Sequence, residues 1–158
     1  MAENVEWIAK HSHGAKVVLW AHNSHVAYGG YGLPDSMGEF LHKMFGDKLV
    51  NFGFVFGDGS FRSILPATGL KEFSVGPSPE GTLDRQLQDL GLPIFALDVR
   101  KIPSTGLLEE WRGHPHLSKS VGAIYDPASS LLYFSPVYVP GTFDVLLFIS
   151  HTTASRAN

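Results

Sequence analysis

The chain has 158 residues, close to the length of one typical domain, and its 44% hydrophobic and 17% charged residues suit a packed core rather than a disordered chain. Twelve Lys and Arg residues against 15 Asp and Glu give a formal net charge of -3. Because this charge creates no strong positive field, we expect neither nucleic acid nor an anionic membrane surface as a partner. Cysteine is absent, which excludes disulfides, thiolate nucleophiles and zinc sites that use sulfur.

The chain carries no pattern typical of export or membrane insertion. Its first residues lack a basic and then apolar signal, and no apolar run approaches the roughly 20 residues that cross a bilayer. We therefore expect a cytoplasmic protein. No internal repeat or linker divides residues 1–158, so we expect one region that ends in a flexible tail over residues 151–158.

The first third of the chain alternates between helical and strand patterns. Apolar spacing predicts a short helix over residues 2–10, and the β-branched and aromatic run at residues 17–21 is typical of a strand buried on both faces. A helix capped by Asp35 or Ser36 and ended by Gly46 is predicted, followed by a strand over residues 49–56.

The remainder continues the alternation with weaker signals. The glycines of residues 57–60 predict a break, and residues 66–79 predict a loop rich in Gly, Pro and Ser. A helix capped by Thr82 and a buried strand over residues 94–99 follow. Weaker patterns predict a short strand or an extended arm at residues 61–65, a helix at residues 107–111, and short strands at residues 121–125, 131–134 and 143–149. The order predicts an α/β fold with a mainly parallel sheet and flanking helices.

Two of the eight histidines follow the first predicted strand directly. His22 and His25 lie at its carboxyl end, where open α/β sheets collect ligands, and imidazole can exchange protons near neutral pH. Two alternatives remain: each ring binds a backbone carbonyl or packs under the loop, or both rings bind a metal together with Asp98. No His-Glu-x-x-His pattern accompanies the pair, so we expect no metal and no cofactor.

Residues 16–26, with the sequence Lys-Val-Val-Leu-Trp-Ala-His-Asn-Ser-His-Val, resemble the erythromycin esterase family. Weaker similarities continue in the same order at residues 37–41, 52–61, 95–100, 121–126 and 143–149. The resemblance implies a hydrolase unrelated to the serine-nucleophile fold, in which water opens the lactone ester of a macrolide or a related ester. It implies catalytic roles for His22 and His25, in acid/base chemistry or oxyanion stabilisation. Asn23, Tyr28 and Ser60 are predicted to bind the substrate, and residues 28–33 to shape its cleft.

The chain also departs from the family pattern. In the family the general-base histidine and its acidic partner lie in an N-terminal Gly-Glu-x-x-His-like segment, which this sequence does not contain. The resemblance therefore implies the C-terminal portion of a larger erythromycin esterase-like domain. A catalytically incomplete remnant that binds a ligand, a missing N-terminal segment or a second copy of itself is the alternative to an active hydrolase, and a metal-dependent hydrolase is a further one.

Overall fold

A computed structural model describes residues 1–29 and 35–156 of the chain. Its six strands are β1 (Phe52–Leu65), β2 (Gly69–Val75), β3 (Ile94–Asp98), β4 (His116–Lys119), β5 (Phe134–Val137) and β6 (Val145–Thr152). Its five α-helices are α1 (Ala2–His11), α2 (Asn23–Val26), α3 (Met37–Phe45), α4 (Leu83–Gln88) and α5 (Leu107–Gly113). None of the helices in this described part is long and apolar enough to cross a membrane.

The main sheet is mixed, with the strand order β2-β1-β6-β3. Only β1 and β6 are parallel neighbours, because β2 is antiparallel to β1 and β3 is antiparallel to β6. The α/β class is confirmed, but the prediction of a mainly parallel sheet is wrong. Residues 66–68 connect β1 to β2, and such a short turn cannot make the crossover that parallel strands require.

β1 is much longer than predicted, because the glycines of residues 57–60 do not break it. Gly59 has a φ of 117° and pairs with both neighbouring strands, at Val75 and at Thr152. A Cβ atom at Gly59 would lie 2.1 Å from the carbonyl oxygen of Thr152, so glycine permits β6 to approach here. The predicted loop over residues 66–79 is likewise wrong in part, since β2 occupies half of it.

Residues 17–21 form no strand in the described structure, contrary to the prediction. The four large apolar side chains of this run are exposed, and Val18 and Trp20 are so to 90% and 80%. The pattern correctly reported apolar residues, but a strand also needs a neighbouring main chain to pair with, and none in the described part pairs with this run. Residues 121–125 make only an isolated bridge to β1, and residues 131–133 belong to a 3-10 helix.

Local signals predicted α3 and α4 correctly, whereas the short helix α2 was not predicted. The Ser36 hydroxyl accepts a hydrogen bond from Glu39 N at the start of α3, and the Thr82 hydroxyl accepts one from Arg85 N at the start of α4. β6 was predicted from its apolar run but extends to Thr152, so the strand includes two residues that we assigned to the tail.

The hydrophobic core lies between the main sheet and α4, with contributions from the segments that follow β3 and β5. Leu146 and Phe148 on β6 are 0% exposed, as is Val139. Eight further residues are buried in the same cluster: Ala27, Val55, Leu83, Leu87, Val99, Ile102, Val137 and Phe143. This packing fixes β1 and β6 side by side and so positions the groups at their ends.

Candidate functional site

His22 is held by hydrogen bonds at both ring nitrogens. It is the N-cap of α2, where its Nδ1 accepts from Ser24 N at 3.2 Å. Its Nε2 lies 2.9 Å from the carbonyl oxygen of Val121 and donates to it. Because one nitrogen accepts and the other donates, the ring is a neutral tautomer with the proton on Nε2. This contact to a backbone carbonyl matches the structural alternative for His22.

His25 differs from its neighbour because its imidazole makes no hydrogen bond within residues 1–29 and 35–156. Its ring is exposed and lies edge-on to that of His22, with 6.5 Å between the ring centroids. The structure therefore brings the two predicted catalytic histidines together on the one-turn helix α2. Among the contacts of residues 1–29 and 35–156, both ring nitrogens of His25 are available to a substrate or a water molecule, whereas those of His22 are not.

The side-chain amide of Asn23 is hydrogen-bonded to the main chain of β1. Its Nδ2 donates to Phe54 O at 2.7 Å, and its Oδ1 accepts from Phe54 N at 3.0 Å. The amide thus pairs with the edge of β1 as a strand residue would. A substrate that bound Asn23 would have to compete with both hydrogen bonds.

Tyr28 is anchored to the beginning of β6. Its hydroxyl donates to Asp144 Oδ2 at 2.6 Å, and that oxygen also accepts from Asn51 N at 2.7 Å. Burial, together with the hydrogen bond to Asp144, raises the pKa of the Tyr28 hydroxyl above its ordinary value. The phenol therefore stays protonated. Most of the loop predicted to shape the cleft, residues 30–33, lies outside the described residues.

Ser60 lies on β1, away from α2. It shares a cleft with His151, a histidine that was not predicted as a site residue. His151 Nδ1 is 2.5 Å from Asp58 Oδ1, and Asp58 and His151 are paired residues of the parallel strands β1 and β6. Ser60 Oγ accepts from Ala154 N at 2.9 Å. An open cleft of about 310 Å³ contains Asp58, Ser60 and His151 in its lining.

Of the two residues Asp58 and His151, only Asp58 could have been found from the sequence. Asp58 and Ser60 alternate along a strand and so share one face, but the expected break over residues 57–60 hid that alternation. His151 is 93 residues away in the chain, and only the sheet register brings it to Asp58.

Asp98, the carboxylate considered as a metal ligand, is used elsewhere. It pairs with Arg100 at 2.9 Å and with Lys101 at 3.4 Å. The hydrogen bond from Arg100 is the main cause that lowers the pKa of the Asp98 carboxyl to about 2. Within the described part of the chain, no three His, Asp or Glu side chains lie together as a group that could hold a metal ion.

The chain is a mixed α/β domain in which a short helix after an extended apolar segment presents a histidine pair. A family model described as erythromycin esterase matches residues 1–152. The chain therefore belongs to the erythromycin esterase family.

Solved structures share this fold. A Bacillus cereus protein superposes with a TM-score of 0.85 at 19% identity, over 99% of this chain and 38% of its own. A succinoglycan biosynthesis protein does so with a TM-score of 0.81 at 22% identity, over 96% of this chain and 37% of its own. A histidine-to-asparagine mutant of erythromycin esterase EreC in its open conformation gives a TM-score of 0.62 at 11% identity, over 95% and 35%.

The chain thus spans less than two fifths of the length of each of these solved proteins. No curated protein sequence matches it significantly.

Proposed function

We propose that this chain takes part in the hydrolysis of a carboxylic ester, with a macrolide lactone as the favoured substrate. The observation that carries the proposal is the exposed imidazole of His25, which is free of hydrogen bonds in the described residues and lies beside the fixed ring of His22. Membership of the erythromycin esterase family supports the reaction class and the choice of substrate.

In this proposal we assign the acid and base role to His25, because the general-base histidine implied by the family resemblance lies in a segment that this sequence does not contain. Its neutral imidazole takes a proton from water as the water oxygen attacks the carbonyl carbon of the ester. The C–O bond to the alcohol portion then breaks, and the imidazolium returns the proton to the leaving alkoxide. The products are a carboxylic acid and an alcohol, so one water molecule is added and no cofactor is consumed.

His22 has a positioning role in this scheme. Its Nε2–H already donates to Val121 O at 2.9 Å, and its Nδ1 caps α2. Stabilising an oxyanion would require it to give up the bond to Val121. The bonded ring instead fixes the first turn of α2, on which His25 lies three residues later.

The test is turnover of a macrolide by the purified full chain, followed by mass spectrometry as the gain of one water. We expect His25→Ala to lower kcat by about 100-fold or more, the usual contribution of a general base. His22→Ala should lower kcat less and should also destabilise α2. The matched control is His13→Ala, which removes an exposed imidazole between α1 and the extended segment. Equal turnover by His25→Ala and His13→Ala would refute the role of His25, and absence of turnover in the unaltered chain would refute an activity of this chain alone.

A second candidate function is binding of a ligand or another protein chain without catalysis. It is favoured by the apolar segment of residues 17–21, in which Val18 is 90% exposed and Trp20 is 80% exposed. Sedimentation velocity tests this candidate for self-association. A concentration-dependent dimer that Trp20→Glu abolishes would support it, whereas a monomer at every concentration would exclude self-association through this surface.

A further inference from the structure

A histidine and a carboxylate form a fixed pair where the parallel pairing of β1 and β6 ends, in the middle of β1 and near the carboxyl end of β6. His151 Nδ1 lies 2.5 Å from Asp58 Oδ1, and the other carboxylate oxygen accepts from Gln88 Nε2 at 3.0 Å. Because the carboxylate accepts at Nδ1–H, the neutral ring has Nε2 as a hydrogen-bond acceptor. The hydrogen bond from His151 also lowers the pKa of the Asp58 carboxyl below its ordinary value. Gln88 orients Asp58, and Asp58 orients His151.

Two serine hydroxyls share the cleft with this pair. Ser60 follows Asp58 by two residues on β1, and Ser74 is the cross-strand partner of Ser60 on β2. Directly opposed residues have Cβ atoms about 5 Å apart, so both hydroxyls reach one ligand. Ser60 Oγ already accepts from Ala154 N at 2.9 Å, which leaves its O–H proton to donate. The cleft thus offers hydroxyl donors beside an imidazole acceptor.

The charges in the cleft argue against an ionic ligand. Asp58 and His151 are the titratable side chains among the residues that line it, and they are paired with each other. A carboxylate or phosphate ligand would find no Lys or Arg in the lining, and both oxygens of the Asp58 carboxylate already accept hydrogen bonds, from His151 and Gln88, which leaves a cationic ligand to compete with them. Uncharged hydroxyl groups, which both donate and accept, match what these side chains present.

A neighbouring cleft of about 390 Å³ shares three lining residues with this one, Ser74, Val75 and Gly76. It adds the aromatic side chains of Tyr133 and Phe134. Aromatic rings give apolar faces on which the C–H surfaces of a sugar ring can pack, next to the polar groups that bind its hydroxyls.

The one cation in the lining of that second cleft has protein partners. Lys119 is 9% exposed, and its Nζ donates to Gly57 O at 2.8 Å and to Ser78 Oγ at 3.1 Å. It also lies 4.2 Å from the centroid of the Phe56 ring. Its ammonium group therefore already has partners within the protein and is not available to bind an anion in the cleft.

We propose that the cleft where the parallel pairing of β1 and β6 ends binds an uncharged, hydroxyl-rich ligand of carbohydrate chemistry, through His151 held by Asp58 and through the hydroxyls of Ser60 and Ser74. This site shares no residue with the histidine pair His22 and His25. The proposed ligand binding can therefore be tested independently of the proposed ester hydrolysis.

The test is an NMR titration of the full chain with neutral glucose tetrasaccharides of both linkages, α and β, and with inorganic phosphate as the charged comparison. We expect one of the tetrasaccharides to shift the backbone amides of Ser60, Ser74 and Gly76, with a Kd near or below about 1 mM. His151→Gln removes the oriented imidazole and Asp58→Asn removes its anchor, and each should weaken binding about tenfold. His114→Gln, which changes an exposed histidine on another part of the chain, is the matched control and should bind as the unaltered chain does.

Three results with the tetrasaccharides would overturn the proposal. They are no shift with either tetrasaccharide, shifts confined to amides away from the cleft, and tetrasaccharide affinity unchanged in a folded His151→Gln protein. Phosphate binding at the cleft would equally contradict the argument from charge. Macrolide turnover is measured separately, so failure of this site leaves the test of His25 unaffected.

Discussion

Replacing Asn23 by alanine tests whether its amide stabilises the fold or binds the substrate. The substitution removes the hydrogen bonds of 2.7 Å and 3.0 Å to the main chain of Phe54. A hydrogen bond contributes about 0.5–1.5 kcal/mol net, so the two together are worth about 1–3 kcal/mol. Because the edge of β1 at Phe54 is exposed and water can replace the lost partners, we expect the lower part of that range, about 1–2 kcal/mol.

Equilibrium unfolding in urea measures this loss as a free energy, and thermal unfolding measures it as a change in Tm. A chain of this size loses about 2–4 °C in Tm for each kcal/mol, so Asn23→Ala should lower Tm by roughly 2–8 °C. Asn23→Asp retains the acceptor for Phe54 N but places a carboxylate against Phe54 O, so it should destabilise the fold as well. The matched control is Asn4→Ala, which alters an exposed residue of α1 and should change the free energy of unfolding by less than about 0.5 kcal/mol.

Stability and KM together distinguish a role of Asn23 in the fold from a role in substrate binding. If Asn23→Ala unfolds at the same urea concentration as the unaltered chain but raises KM for a macrolide, the amide binds substrate and its contacts to β1 contribute nothing measurable. If stability falls and KM for the folded protein stays constant, Asn23 serves to attach α2, and with it His25, to the sheet.

Three further predictions concern the described fold. In an NMR pH titration the Asp98 carboxyl should titrate with a pKa of about 2, and Arg100→Gln should raise it toward the ordinary value. Since this folded-state pKa lies below the unfolded value of about 3.9, the stability from the ion pair is present above pH 4 or so and is lost as the pH falls toward 2. An unchanged pKa of Asp98 in Arg100→Gln would contradict the role of Arg100 in lowering it. Gly59→Ala should cost about 2 kcal/mol or more in urea unfolding, because φ is 117° and the new Cβ would meet Thr152 O at 2.1 Å; a loss below 0.5 kcal/mol or so would show that β1 and β6 separate freely there. Phe148→Ala empties a fully buried site of the core and should cost about 3–5 kcal/mol by the same measurement, whereas a cost under about 1 kcal/mol would mean that this core is not packed as described.

Local chemistry made much of this fold predictable. The starts of α3 and α4 follow from one hydroxyl each, Ser36 and Thr82, which needs no knowledge of the rest of the chain. Strand pairing was predictable only in part, because β2 and β4 have no strong apolar run of their own and form by pairing with a neighbour.

The site shows the same division between local and distant signals. His22 and His25 are three residues apart on one turn, so their proximity could be read from the sequence. Asp58 and His151 could not be associated in this way, since their contact depends on the parallel register of β1 and β6. The exposed run at residues 17–21 shows the converse, because apolar residues alone do not specify a strand without a partner.

The measurement that tests the central claim most directly is the rate at which the purified chain opens a macrolide lactone, compared between the unaltered protein and His25→Ala. The account predicts a product one water heavier than the macrolide, and a kcat that falls about 100-fold or more in His25→Ala with the fold retained. Turnover by a folded His25→Ala protein at the rate of the unaltered chain would contradict it.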